Sequence, residues 1–248
     1  MRAYGISHIG NIRETNQDAY FIKTDDSGSL QNLYIVADGM GGHLAGEIAS
    51  NTAIKKFYEY ILTQTFTHNN ILDFLTEATK YANLQVYEAS KKNLDYFGMG
   101  TTFTALTISN NKGYAVHIGD SRVYLISDEN INLITTDHSF TNEMKKLGKL
   151  SDKAAINHPN RHVLTRALGT ENNTLVDGFT FNVKKDDRVL VCTDGLTNMI
   201  SDNEIKNIIL ANTLEKAANN LVLLANKNGG DDNITAILIE IEGDEHVT

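Results

Sequence analysis

Short apolar runs rich in β-branched residues recur along the chain, and each reads as a buried strand. Leu33-Tyr34-Ile35-Val36-Ala37 ends in Asp38-Gly39, and Ala115-Val116-His117-Ile118-Gly119 ends in Asp120. Val189-Leu190-Val191-Cys192-Thr193 ends in Asp194-Gly195, and Asp232-Asn233 opens Ile234 to Ile239. Further strands are expected at Ala19 to Ile22, Thr102 to Ile108, Val123 to Ile126 and Phe179 to Val183. Turns fall at Asp25-Asp26-Ser27-Gly28 and Asn110-Asn111-Lys112-Gly113. Ile48, Ala49, Ala53, Ile54, Phe57, Ile61 and Leu62 recur with helical period, as do Ile71, Leu72, Leu75, Ala78, Ala82 and Val86. Two more helices are expected near 201–210 and 213–227. Residues 137 to about 165 form a polar, partly helical excursion that reads as a surface flap. Clustered strands and paired helices predict an α+β fold: mainly antiparallel sheets packed face to face, with helices outside. No repeat, low-complexity tract or proline-rich linker divides the 248 residues, so a single domain over 1–248 is expected.

The aspartates at the strand ends change this from a fold into a chemical proposal. If the strands lie side by side, Asp38, Asp120, Asp194 and Asp232 converge at one end, with the fourth strand running opposite to the others. Converging carboxylates repel one another unless protons or cations neutralise them. All-oxygen ligands favour hard cations such as Mg2+ or Mn2+.

Composition narrows the classes. A net charge of −9 argues against nucleic acid as a partner. The single cysteine, Cys192, allows no internal disulfide and no cysteine zinc site, and its place in an apolar strand reads as a buried, inert thiol. No signal peptide is visible at the start, and no run approaches the roughly 20 apolar residues of a membrane span. A cytoplasmic, monomeric protein is the expectation.

Read in order, the polar signals are Arg13-Glu14-Thr15-Asn16-Gln17-Asp18, Ala37-Asp38-Gly39-Met40-Gly41-Gly42-His43, Gly98-Met99-Gly100-Thr101-Thr102 and Gly119-Asp120-Ser121-Arg122. Thr136-Asp137-His138-Ser139, Leu164-Thr165-Arg166-Ala167-Leu168-Gly169, Cys192-Thr193-Asp194-Gly195 and Asp232-Asn233-Ile234-Thr235 complete the series. Together they resemble the metal-dependent PPM (PP2C-type) serine/threonine protein phosphatases, in the compact bacterial form. The resemblance implies a central sandwich of two antiparallel sheets with a helix pair on each outer face. It implies two core Mn2+ or Mg2+ ions, Asp38 bridging them, the Gly39 carbonyl on one, and Asp194 and Asp232 on the other. A third ion would lie between Asp120 and Asp194. Asp18 matches a carboxylate that orients metal-bound water, and Arg13 matches the arginine that grips phosphate. The implied substrates are phosphorylated proteins, with a Ser/Thr kinase as the opposing partner.

Physical chemistry supports that assignment of roles. Two divalent ions roughly 3.5–4 Å apart lower the pKa of a shared water, which can then attack phosphorus directly. A guanidinium such as Arg13 can hold two phosphoryl oxygens at once. Two departures from the family pattern stand out. Residue 40 is Met where many relatives carry a histidine general acid, leaving His43 or His138 as candidates. Residue 17 is Gln where many carry Glu, which removes a negative charge beside one ion. Asp231, Arg122 and Arg166 are read as a turn residue and ordinary ion-pair residues, and Asp137 as a helix cap.

Competing readings fare worse. Gly41 and Gly46 have P-loop spacing, but Glu47-Ile48 stand where Lys and Ser/Thr are needed. A cysteine-dependent phosphatase needs Arg six residues after its Cys, and after Cys192 that position is Asn198. A phosphatase fold kept only for binding a partner would usually lose ligands, and here every implied carboxylate is present.

Overall fold

A computed structural model of the protein describes residues 1–25, 30–42, 44–64, 70–156 and 158–242. The expected turn at 25–28 is described only at Asp25, and His43 lies outside the described residues.

Two antiparallel sheets form the centre. One is ordered β1 (Arg2–His8), β11 (Ile234–Glu240), β10 (Arg188–Cys192), β7 (Arg122–Ile126) and β8 (Ile131–Leu133). The other is ordered β2 (Asp18–Lys23), β3 (Leu33–Met40), β5 (Phe103–Ser109), β6 (Lys112–Ile118) and β9 (Asp177–Asn182), with the short β4 (Gly100–Thr101) on the end of β3. The central strands are buried on both faces, which explains why their sequences are continuous apolar runs rather than alternating ones. Side chains still alternate in direction along each strand. On β3, Tyr34 and Val36 pack between the sheets with Leu106, Val123, Val191 and Ile237. Leu33, Ile35 and Ala37 face the other way, onto α1 (Ala45–Thr63) and α2 (Ile71–Lys92). The opposite sheet turns Tyr124, Leu190, Cys192, Ala236 and Leu238 onto α6 (Asp202–Ala211) and α7 (Leu214–Lys227). The result is the expected four layers, helices–sheet–sheet–helices.

Local chemistry fixes several boundaries. Ser201 and Glu204 form a reciprocal capping box at the start of α6. Asn110 and Asn111 take left-handed backbone between β5 and β6, as a tight hairpin turn requires. Ser139 caps α3 (Phe140–Lys146) by accepting from the Asn142 amide, so the cap is Ser139 rather than Asp137. The excursion carries α3 and α4 (Asp152–Ile156) and is closed at its base by a bridge between Ser139 and Leu164.

Several elements were not expected, among them β1, β8 and α5 (Asp194–Thr197). β1 has no continuous apolar run, yet it pairs with β11 along its whole length, from Arg2↔Glu240 to His8↔Ile234. β8 is a short edge strand, and α5 is a single turn starting at the Asp194 of the strand-end motif.

Candidate metal centre

Antiparallel pairing brings the carboxylates together. β3 and β6 are each antiparallel to β5, so Asp38 and the turn holding Asp120 leave the sandwich at the same end. β10 and β11 are antiparallel neighbours, so the residue after one strand meets the residue before the other, and Asp194 lies beside Asp232. β2 runs antiparallel to β3 with Asp18 opposite Asp38. Asp38, Gly39, Asp120, Asp194 and Asp232 line one cleft of about 850 Å³, together with Arg13. Asp18 is buried and does not line it.

The backbone around these groups is braced by buried hydroxyls. Thr102 Oγ1 accepts from the Asp38 amide at 2.9 Å, and Thr101 Oγ1 donates to the Asp38 carbonyl at 2.9 Å. Thr102 also meets Ser121 Oγ at 2.7 Å, which ties the turn after Asp120 to the start of β5. Gly39 is glycine for a steric reason: a Cβ there would stand 2.0 Å from the Gly46 carbonyl oxygen and 2.7 Å from that of Gln17. Both are main-chain atoms that cannot swing aside. Gly39→Ala should therefore cost about 2 kcal/mol or more, seen as a lower thermal midpoint even without metal.

Electrostatics sets this cluster apart. Burial first, then the charges of Asp18, Asp194, Asp120 and Asp232, push the Asp38 carboxyl well above its ordinary range. Asp120 is likewise raised well, by burial and then by Asp194 and Asp137, against the pull of Arg122. Asp194 is raised by burial and by Asp232, and eased by His162 and by the hydrogen bond that Asn198 donates to its Oδ2. Burial pushes Asp18 up to about 7, although Thr235 and Thr193 donate to its Oδ2 at 2.7 and 2.9 Å. The remaining oxygen of Asp18 and Oδ1 of Asp194 are buried without a protein partner. Buried oxygens of this kind carry a substantial desolvation cost unless something neutralises them.

A cation fits that need. Among the described residues, no three acidic, imidazole or thiol side chains close tightly around a single point. Ligands that share two ions through water and a backbone carbonyl stand farther apart than ligands of one ion. The donor set is all oxygen, over-rich in negative charge and partly unsatisfied, which suits hard divalent ions. Arg13 supplies part of the missing positive charge, its Nη2 donating to Asp232 Oδ2 at 2.8 Å.

Other polar residues fall where simple packing would put them. Arg122 forms a two-pronged pair with Asp137, at 3.0 and 2.7 Å. Arg166 pairs with Asp177 at 2.6 Å, and it also lines the cleft. His138 is fully buried. Its Nδ1 accepts from the Gly119 amide at 3.0 Å and its Nε2 meets Asp177 at 3.0 Å. Both ring nitrogens are thus engaged away from the cleft, which removes His138 as a candidate general acid. Arg161 and His162 line the cleft and were not singled out from the sequence. Their only signal was position, just before the Leu164-Thr165-Arg166 motif at the flap base.

Known proteins resemble this chain along nearly all of it. A family model described as Protein phosphatase 2C matches residues 4–238. The serine/threonine phosphatase Stp of Listeria monocytogenes is 36% identical over 236 residues, covering 93% of this chain and 92% of that protein. The crystal structure of the serine/threonine phosphatase Stp1 from Staphylococcus aureus superposes with a TM-score of 0.91 at 33% identity, covering 97% of this chain and 95% of that one. The catalytic domain of the serine/threonine protein phosphatase PstP, solved in complex with two manganese ions, superposes with a TM-score of 0.84 at 30% identity, covering 98% of each chain.

Proposed function

The chain belongs to the protein phosphatase 2C family, a metal-dependent family of protein-serine/threonine phosphatases, and from that premise we propose that it hydrolyses phosphoserine and phosphothreonine esters on proteins by direct attack of water on phosphorus. One observation carries the reading: Asp38, Asp120, Asp194 and Asp232 reach one cleft from both sheets, with Arg13 at its edge. Asp38, the Gly39 carbonyl, Asp194 and Asp232 would hold two Mn2+ or Mg2+ ions, and Asp120 with Asp194 would hold a third. Bound there, the ions would supply a water of lowered pKa and offset charge on the phosphoryl oxygens.

The chain's own groups do the rest. Arg13 holds the phosphoryl group with its planar fork, sharing or releasing its present bond to Asp232. Asp18, anchored through one oxygen by Thr193 and Thr235, keeps the other to orient the attacking water. Met40 lines the cleft but brings no proton for the leaving alkoxide. The whole chain acts as one catalytic domain, a cytoplasmic monomer whose 137–165 flap borders the cleft and whose activity opposes a Ser/Thr kinase. Among the described residues, no helix is long and apolar enough to cross a membrane.

The test is turnover of p-nitrophenyl phosphate and of phosphoserine and phosphothreonine peptides, with chelator and then with Mn2+. Turnover is expected only with the ion, with no phosphorylated enzyme trapped on acid quenching. Undiminished turnover in chelator would overturn the mechanism, and no turnover with Mn2+ would favour a fold retained for binding. Arg13→Ala should raise KM about tenfold or more while lowering kcat less, because it removes a binding contact rather than a metal ligand. An unchanged KM would remove Arg13 from the phosphate site.

A further inference from the structure

We propose that Asn233 is a positioning residue that holds the Arg13 loop in place over the carboxylate cleft; the inference rests on the reading of Arg13 as the phosphate-holding group. Asn233 is 4% exposed. Its side chain spends all three of its bonds on the main chain of the loop joining β1 to β2. Nδ2 donates to the carbonyls of Ile9 at 2.9 Å and Thr15 at 3.0 Å. Oδ1 accepts from the Gln17 amide at 2.8 Å. Those contacts bracket Arg13 on both sides.

Neighbouring contacts converge on the same loop. The Asn11 amide donates to the Gly230 carbonyl at 2.7 Å, and Asn11 Nδ2 donates to Gly229 O at 2.9 Å. Gly10 has φ +82, and a Cβ there would stand 2.2 Å from the Asp232 carbonyl oxygen. On the other side, the Gln17 carbonyl accepts from the Gly39 amide at 3.1 Å and from Ser50 Oγ at 2.7 Å. Gly195 approaches so closely that a Cβ would meet the Asn233 carbonyl oxygen at 2.0 Å. Asn233 therefore joins the start of β11 to the loop carrying Arg13, and through Gln17 to the end of β3.

Only a primary amide meets this demand. It offers two donors and an acceptor on one short stem, whereas aspartate has no donor and alanine has neither. Without the staple, the loop keeps its ends in β1 and β2 and the Asn11 bonds to Gly229 and Gly230, but loses the ties on either side of Arg13. The guanidinium at position 13 would then spend less time over the cleft, and phosphate affinity would fall with it.

The experiment is a double-mutant cycle on the full chain with Mn2+, using p-nitrophenyl phosphate as substrate and inorganic phosphate as inhibitor. Asn233→Ala should raise both KM and the phosphate inhibition constant about tenfold, with a smaller change in kcat and Mn2+ affinity by calorimetry within about threefold of the unmodified protein. In the Arg13→Ala background the same substitution should change KM less than about twofold, because the group it positions is gone. Asn233→Asp, equal in size, keeps the acceptor for the Gln17 amide but loses both donated bonds, so it should raise KM in the same direction and keeps the test alive if alanine folds poorly. Equal increases in KM in both backgrounds would overturn the inference, as would lost Mn2+ affinity with unchanged phosphate inhibition. If Arg13→Ala alone leaves KM and phosphate inhibition unaltered, the reading of Arg13 falls and takes the inference with it.

Discussion

Asp38→Ala should lower Mn2+-supported turnover by about a thousandfold or more, on the order of 4 kcal/mol of transition-state stabilisation, while leaving the metal-free protein at least as stable at pH 8. The two effects have one cause. Asp38 is the most hemmed-in carboxylate of the cluster, raised by burial and by four other aspartates. Without a cation it is a liability to the fold, and removing it relieves like-charge repulsion. Its main chain does not depend on the side chain, since Thr101 and Thr102 hold the carbonyl and amide. With ions bound, the same carboxylate would help to hold them and offset their charge, and its loss would weaken the site they occupy. Kinetics with p-nitrophenyl phosphate and thermal denaturation in chelator check both halves. Full turnover in the variant would overturn the metal assignment. A large loss of stability in chelator would make Asp38 a structural residue instead.

Removing metal should make the fold sensitive to pH in an unusual direction. Unfolded, the Asp18 carboxyl loses its proton near 3.9; folded, it does so at about 7. Between those values the folded state holds more protons, so its stability falls as pH rises. About three pH units at 1.36 kcal/mol each give on the order of 4 kcal/mol for Asp18 if it acted alone. Asp38, Asp120 and Asp194 shift in the same direction and extend the decline. His117 opposes it: burial lowers its value to about 3, so its neutral folded form gains stability as pH rises toward 6.5. Comparing the protein with Asp18→Asn cancels that histidine contribution. In chelator, the thermal midpoint of the unmodified chain should fall between pH 5 and 8 more steeply than that of Asp18→Asn. Saturating Mn2+ should raise the midpoint and flatten the slope, because an ion that binds only the folded state adds its binding energy to stability. Identical slopes in chelator for the two proteins would show that Asp18 is not protonated in the folded state.

Residues with a strong local pattern were legible in the sequence. The runs ending at Asp38 and Asp194, and the one beginning after Asp232, are apolar enough to name themselves as buried strands, and their acidic ends predicted the cleft. β1 was not legible, because Arg2-Ala3-Tyr4-Gly5-Ile6-Ser7-His8 mixes polar and small residues as an edge strand does. What makes it a strand is its partner, β11, more than two hundred residues away. The roles of His138 and Asn233 were hidden for a related reason. Each is defined by groups from distant segments, and nothing in the neighbouring sequence says which carbonyl, amide or carboxylate will arrive. Arg161 and His162 reach the cleft only because the flap folds back at the Ser139–Leu164 bridge.

The pairing of the first strand with the last has a consequence for biosynthesis. β1 cannot find its partner until residues 234–240 have left the ribosome, and Asp232 emerges only just before that partner. Nascent and prematurely terminated chains therefore lack both the edge of one sheet and one of the acidic side chains of the cleft. Any dephosphorylating activity would therefore have to wait until translation has passed β11, leaving shorter fragments inert toward the phosphoproteins around them.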